Sequence, residues 1–385
     1  MLGNAAVRPR KRVAAAPVAQ ASAPPDMILF AAVAALVAIG LIMVYSASSA
    51  TAYADFRDTA YYLKRQTIWL VIGLVCAAVT YRLDYRRLKK IAPFGVALAF
   101  VMLVLVLIPH IGLIAGGSRR WLGGGFLSFQ PSEFAKIALV VFLAAKLSTL
   151  GENVRSLSRG VFPTMLVSVV LAGLILKEPD MGTASILIFT TFALLFTAGA
   201  RIEHLTMVGL ALLPIVAISV LSSAYKRARI FAFIDPWRDA QNSGFHIVQS
   251  LLALGSGGIT GLGLGASRQK FFYLPEQYTD FIFAILGEEL GLLGTIAVLI
   301  LFVIFAFRAV RIALASADRF GMLLALGCTF LIVIQAFINI GVVTSSWPVT
   351  GVPLPFLSAG GTSLVVSLVA VALIMNVGRH RALKT

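Results

Sequence analysis

The chain is 385 residues long, 59% hydrophobic and only 12% charged. Its mean hydropathy of +0.94 excludes a soluble globular domain and points to a polytopic membrane protein. The 32 Lys and Arg against 16 Asp and Glu leave a formal charge of +16, but the basic residues fall in short clusters between apolar runs and form no continuous stripe, which argues against nucleic acid as a partner.

Residues 1–26 are rich in Ala and Pro, carry Arg8, Arg10, Lys11 and Arg12, and read as a disordered tail. The first apolar run, 27–46, is followed by the small residues Ala50, Thr51 and Ala52, which resemble a cleavage site. So many further runs follow that an uncleaved first helix is the better reading. Runs of spanning length recur near 66–81, 91–109, 133–148, 161–176, 183–199, 204–222, 281–307, 320–343 and 361–377. The expected fold is therefore all-α, with about ten transmembrane helices in a membrane domain over 27–378, a large loop at 223–280 between helices seven and eight, and a short tail at 379–385. No inverted repeat of the kind found in transporters is visible. Cys76 and Cys328 lie far apart inside apolar runs, without a CxxC or a neighbouring His, and read as packing residues.

With the amino terminus inside, the inner loops carry Arg82, Arg86, Arg87, Lys89 and Lys90, then Lys146, Arg155 and Arg159, then Arg201, then Arg308, Arg311 and Arg319, and finally Arg379, Arg381 and Lys384. Every inner loop obeys the positive-inside rule, which places both termini in the cytoplasm. The remaining cations then fall outside: Arg119, Arg120, Lys226, Arg227, Arg229, Arg238, Arg268 and Lys270. Long loops tolerate charge of either sign, but the set together indicates an anionic partner.

Four outward segments carry the candidate chemistry. The first is Gly116-Gly117-Ser118-Arg119-Arg120-Trp121 followed by Gln130-Pro131-Ser132-Glu133-Phe134-Ala135-Lys136. Here Arg119 and Arg120 offer phosphate contacts and Trp121 an aromatic face, although Trp and Arg also serve as interfacial anchors. Pro131 suits a helix start, and Glu133 and Lys136, at i,i+3, would neutralise one another. In Lys177-Glu178-Pro179-Asp180-Met181-Gly182 the turn residues explain themselves and Asp180 either caps the next helix or binds a cation.

The third segment is the long loop. Its glycines (Gly255, Gly257, Gly258, Gly261, Gly263, Gly265) followed by Ser267, Arg268 and Lys270 form either a backbone nest suited to pyrophosphate or a flexible, partly re-entrant loop. A dinucleotide fingerprint is excluded because no βαβ unit fits between spans. The loop ends in Leu274-Pro275-Glu276-Gln277-Tyr278-Thr279-Asp280. Asp280, flanked by Phe281, Ile282 and Phe283, is either a base with a raised pKa or a helix N-cap. Glu288 and Glu289 lie about two turns deeper, where a carboxylate needs a partner or a task. The fourth segment runs from Pro348 to Ser363. Its prolines forbid a continuous helix, so Ser358, Gly360 and Gly361 fit the rim of a cavity, while Gln335 and Asn339 place amides on one embedded helix face.

Taken together, GSRRW, QPSEFAK, EPDMGT, FIDPW through GFHIVQSLLALGSGG to LPEQYTDFIFAILGEELG, and INIGVV followed by PVTGVPLPFLSAGGTS resemble the shape, elongation, division and sporulation (SEDS) family of peptidoglycan polymerases, the FtsW/RodA/SpoVE group. The likeness covers nearly the whole chain beyond the tail. This sequence departs from the family wording at Glu178, His246, Ala359 and Thr362. The VYSASS end of span one, SRRW and the FIDPW wording lie closer to the division and sporulation members than to the rod-elongation ones.

The resemblance implies ten helices in the bacterial cytoplasmic membrane and polymerisation of lipid II into glycan strands on its outer face, with Asp280 as the essential catalytic base and inversion at the reacting carbon. Arg119, Arg120, Trp121, Lys136, Arg268, Lys270, Glu276, Ser358, Gly360 and Gly361 are then the expected substrate contacts. A divalent cation, Mg2+ or Mn2+, would be held by Glu133, Asp180 or Glu288. The implied partners are a class B penicillin-binding protein as transpeptidase and other division proteins. A lipid II flippase and a scaffold that only recruits the transpeptidase are the competing functions, and the outside position of Asp280 and the cations favours the enzyme.

Overall fold

The computed structural model describes residues 24–115, 118–124, 128–271 and 274–380. Residues 1–23 and 381–385 of the two expected tails, and Gly116 and Gly117 of the first motif, lie outside them. Twelve α-helices account for most of the described chain. The spans are α1 (Met27–Phe56), α2 (Tyr61–Arg82), α3 (Leu88–Leu107), α4 (Pro131–Leu150), α5 (Phe162–Lys177), α6 (Met181–Thr197), α7 (Ile202–Leu221), α10 (Ile282–Leu314), α11 (Arg319–Val343) and α12 (Gly361–Arg379). In hydrocarbon a chain must satisfy its backbone internally, and continuous helices do so. Nine of these helices are long and apolar enough to cross a membrane; α6, with 17 residues, is slightly shorter and completes the expected ten.

Within the apolar stretches of α11 and α12, 72% and 78% of residues are buried, against 6% in α7. The first two therefore form the centre of the bundle and α7 lies at its edge. α12 packs along α2, α3 along α4, and α1 along α10. Asp26 caps α1 by accepting from the Leu29 amide at 3.0 Å. The same carboxylate accepts from Arg308 Nε at 3.1 Å, which ties the start of α1 to α10. Between α3 and α4 a short antiparallel hairpin pairs β1 (Leu113–Ala115) with β2 (Ser118–Trp121), Ile114 opposite Arg119.

The large loop expected between the seventh and eighth spans holds helical segments ahead of its glycine run. It contains α8 (Ala224–Ile234), a 3-10 turn at Pro236–Asp239 and α9 (Phe245–Gly257). α9 is apolar on the side formed by Ile247, Val248, Ser250, Ala253 and Gly257, and buries it against α10 and α11. Ser250 Oγ donates to Val343 O at 2.8 Å.

Beyond α9 the glycine run lies backbone to backbone against the start of α10. Leu262 N donates to Glu288 O and Gly263 N to Glu289 O, both at 3.0 Å, and Leu292 N donates to Gly258 O at 2.9 Å. α10 bends to accept this pairing at Gly291, whose φ is 66°. Gly261 has φ +81°, and a Cβ there would stand 2.2 Å from Glu289 O, so only glycine fits. Gly261→Ala is expected to lower stability by about 1–3 kcal/mol, read as a fall in the thermal unfolding midpoint of the detergent-solubilised protein.

Candidate active site

Asp280 is the last residue before Phe281 and α10, and is half-buried. Three segments distant in sequence meet around it. Asn339 Nδ2, from α11, donates at 2.7 Å to both Asp280 O and Val352 O, which stitches the start of α10 to the proline-rich segment. Any side chain at Gly351 would place its Cβ 3.4 Å from Asp280 Oδ2. Gly182, in the first turn of α6, lies against Thr350 and Val352, bringing in the turn at 178–180. Ser358 Oγ donates to Thr279 O and accepts from Leu354 N at 2.8 Å, and Ala359 N donates to Tyr278 O at 2.9 Å. The segment expected as a rim therefore grips the three residues that end in Asp280.

Arg120 reaches the same place from β2. Its Nε donates to Glu178 O at 2.8 Å and a terminal nitrogen to Pro179 O at 2.6 Å. Arg229, from α8, donates to Val349 O at 3.1 Å. Burial pushes the Asp280 carboxyl up to about 7, the carboxylates of Glu276 and Asp180 push the same way, and Arg229 and Arg120 oppose them. Glu178 is 1% exposed and neither of its carboxylate oxygens has a hydrogen-bond partner among the described residues. Burial, reinforced by Asp180, raises it to about 8, with Arg120 acting against this. Asp180 caps α6, accepting from Thr183 N and Oγ1 at 2.9 Å each.

A cavity of about 480 Å3 reaches the residues just before Asp280. Tyr278 and Thr279, Trp121, Gly360 and Gly361 line one part of it, and Tyr62, Arg65, Gln66 and Trp69 another. The four α2 residues were not among the expected contacts. They stand at i, i+3, i+4 and i+7, one face of the first two turns of α2, and this polar and aromatic stripe was the signal that could have found them. Arg229 was counted among the outside cations, but nothing in its local sequence set it apart from its neighbours.

Several expected contacts lie elsewhere. Lys136 is 1% exposed and donates to Glu133 Oε1 at 2.8 Å and Gln335 Oε1 at 2.6 Å; an ammonium neutralised inside the bundle cannot also meet substrate. Lys270 is 4% exposed, donates to Gly265 O and pairs with Glu289 at 3.5 Å. The backbone nest exists, but its anion is internal: Arg268 N donates to Glu288 Oε1 at 3.0 Å, Gln269 N to Glu288 Oε2 at 3.4 Å and Ser267 N to Glu289 Oε1 at 3.3 Å. Glu288 and Glu289 thus occupy the place assigned to pyrophosphate, which leaves only the exposed Arg268 side chain facing outward. Glu276 is exposed, with φ 54°, and accepts from Thr279 Oγ1 at 2.8 Å. Arg119 is half-buried with its Nε unpartnered, and does not line the cavity. Ser358 positions the loop and is buried.

The three residues expected to hold a divalent cation do not converge. Glu133 is taken by Lys136, Glu288 by Ser267 and its neighbours, and Asp180 by the α6 cap. Among the described residues no group of three or more His, Cys, Asp and Glu comes together to hold a metal ion. This donor set does not fit a resident Mg2+ or Mn2+.

The FTSW_RODA_SPOVE family model, described as "Cell cycle protein", matches residues 26–383. The chain is 45% identical over 356 residues to "Stage V sporulation protein E" of Bacillus subtilis (strain 168), covering 92% of this chain and 97% of that protein. It is 45% identical over 352 residues to "Probable peptidoglycan glycosyltransferase FtsW" of Trichlorobacter lovleyi, covering 91% and 92%. Among solved structures, a chain of "Structural coordination of polymerization and crosslinking by a peptidoglycan synthase complex" superposes with a TM-score of 0.76 at 30% identity, covering 93% of this chain and 98% of that one. The Thermus thermophilus rod shape determining protein RodA superposes with a TM-score of 0.68 at 28% identity, covering 94% and 98%. With one family model spanning the whole bundle and relatives matched along nearly their full length, the chain belongs to the FtsW/RodA/SpoVE family of polytopic membrane proteins.

Proposed function

We propose that this protein is a peptidoglycan glycosyltransferase that polymerises lipid II into glycan strands, with Asp280 as general base. The observation that carries the assignment of the base is the position of Asp280. It is a half-buried carboxyl that burial raises to about 7 against the opposing charges of Arg229 and Arg120, and the residues just before it line a cavity with aromatic rings. Asp280 takes the proton from the GlcNAc 4-hydroxyl of one lipid II. The oxygen attacks C1 of the MurNAc of another and inverts it, and the C1–O bond to undecaprenyl pyrophosphate breaks with its electron pair leaving on the pyrophosphate. Arg120 and Arg229 supply positive charge near the reacting groups. Trp121, Tyr62 and Trp69 offer faces for sugar rings, and Arg65 a charged contact. No step above depends on a divalent cation.

In this reading Asp280 faces outward, both termini are cytoplasmic and the enzyme works at the outer face of the bacterial cytoplasmic membrane. It serves division or sporulation alongside a class B penicillin-binding protein and other division proteins. The test is reconstitution of the purified protein with that partner and lipid II, with and without chelator. Glycan polymer is the expected product, whereas transport of lipid II without polymer would instead make the protein a flippase.

The pH dependence carries a sign. The base acts deprotonated, so activity rises as pH passes through about 7. Glu276→Gln removes a neighbouring negative charge, lowers the Asp280 pKa and moves this acid limb to lower pH. Arg229→Gln removes an opposing positive charge and moves it to higher pH. Asp239→Asn, in the 3-10 turn after α8, leaves the limb in place. Rate profiles of the three variants check all three statements.

A further inference from the structure

At the end of the bundle remote from Asp280, the α4–α5 and α6–α7 connections border a wide, open cavity of about 970 Å3. The topology sets this separation: α4 leaves the site region at Pro131, α5 returns to the 178–180 turn, and α6 leaves it again. Arg155, Ser156 and Ser158 line one wall, and Arg201 and His204 the other. Neither guanidinium has a side-chain hydrogen bond or ion pair among the described residues, and both are exposed. His204 is half-buried, with Nδ1 buried and without a hydrogen-bond partner among the described residues. Glu152 also lines the cavity and is the one opposing charge there. Phe162, 59% exposed, sets an apolar edge beside the polar lining, as at a membrane interface.

The positive-inside rule explains why cations lie at this end. It does not explain their convergence on one cavity with two serine hydroxyls and an unpartnered imidazole nitrogen. We infer that this cavity binds a phosphate group, with Arg155 and Arg201 as the charged walls, Ser156 and Ser158 as hydroxyl donors and His204 at its buried end. Guanidiniums and hydroxyls match phosphate oxygens, and the His204 ring borders the same cavity. The cavity stands at the mouth of the bundle beside an exposed Phe162, so the headgroup of an anionic phospholipid and a free phosphate are two sources of the same chemistry.

The experiment uses the full chain in detergent, in two arms. One titrates a short-chain phosphatidylglycerol, with phosphatidylcholine as the zwitterionic control, and the other titrates inorganic phosphate; binding is read by native mass spectrometry and by thermal shift. Arg155→Gln combined with Arg201→Gln is expected to weaken binding about thirtyfold. His204→Ala weakens it by a smaller factor, and Arg82→Gln, a cation at the same end but outside the cavity, leaves it unchanged. Because the arginines are exposed and make no side-chain hydrogen bond or ion pair among the described residues, the double variant keeps the wild-type unfolding midpoint without ligand. A response to phosphatidylglycerol alone assigns the site to a lipid headgroup, and an equal response to inorganic phosphate assigns it to a free anion. Binding of neither, or equal binding by wild type and the double variant, overturns the proposal.

Discussion

Asp280→Ala is expected to reduce lipid II polymerisation by about 10^2–10^4-fold, the usual contribution of a general base, and to leave the protein as stable as wild type or more so. The second half of this expectation follows from the hydrogen bonding. It is the backbone carbonyl of Asp280, not its carboxylate, that accepts from Asn339 at 2.7 Å, and the stitch to Val352 O survives the substitution. The carboxylate itself is raised to about 7 by burial and by Glu276 and Asp180, so its charged form is held at a cost that the fold does not recover. Asp280→Asn keeps the shape and removes the base, and so separates the two contributions. Polymerisation by either variant at the wild-type rate would remove Asp280 from the chemistry. Loss of folding with loss of rate would give the carboxylate a structural role, but not the expected one of helix N-cap, since Phe281 is the N-cap of α10 and no side chain caps that helix.

Glu289→Ala is expected to cost about 3–5 kcal/mol of stability, because it strands the Lys270 ammonium in the interior. The pair lies 3.5 Å apart with side chains 5% and 0% exposed. Glu289 also accepts from Ser46 Oγ at 2.7 Å, so it links the glycine-rich segment to α1. Lys270→Ala strands Glu289 in the same way, and the Lys270→Met, Glu289→Leu double variant recovers much of the loss, since two apolar side chains leave no unpaired charge. Equilibrium unfolding of the two single variants and the double variant gives the coupling directly. The sequence-based expectation that Lys270 binds pyrophosphate predicts a different outcome: unchanged stability with reduced activity in Lys270→Ala.

The difference between these outcomes shows what could be read from residue order. Periodic apolar runs, Pro131 at a helix start and Asp180 before a helix all report local constraints, and the helices and caps are found where those residues lie. The Glu133 and Lys136 pair was legible because i,i+3 on a helix is a short-range relation. The role of the glycine run was not. A nest of amides looks the same in sequence whether the anion it meets is a ligand or Glu288, some twenty residues further on, and only the reversal of the chain between Lys270 and the start of α10 brings that carboxylate back to residues 267–269.

The sequence by itself determined the membrane class, the approximate number of spans, the family wording and Asp280 as the residue to test, because hydropathy and motifs are local properties. Tertiary structure alone decided which cations surround that carboxylate. Arg120 arrives from a hairpin and Arg229 from a helix hidden in the long loop, and Arg65 reaches the neighbouring cavity from the first turns of α2, while Lys136 and Lys270, equally prominent in sequence, turn inward to carboxylates of their own. The physical reason is that a buried charge must find an opposite charge or a hydrogen-bonding partner. Which one it finds depends on chain crossings that no stretch of sequence contains.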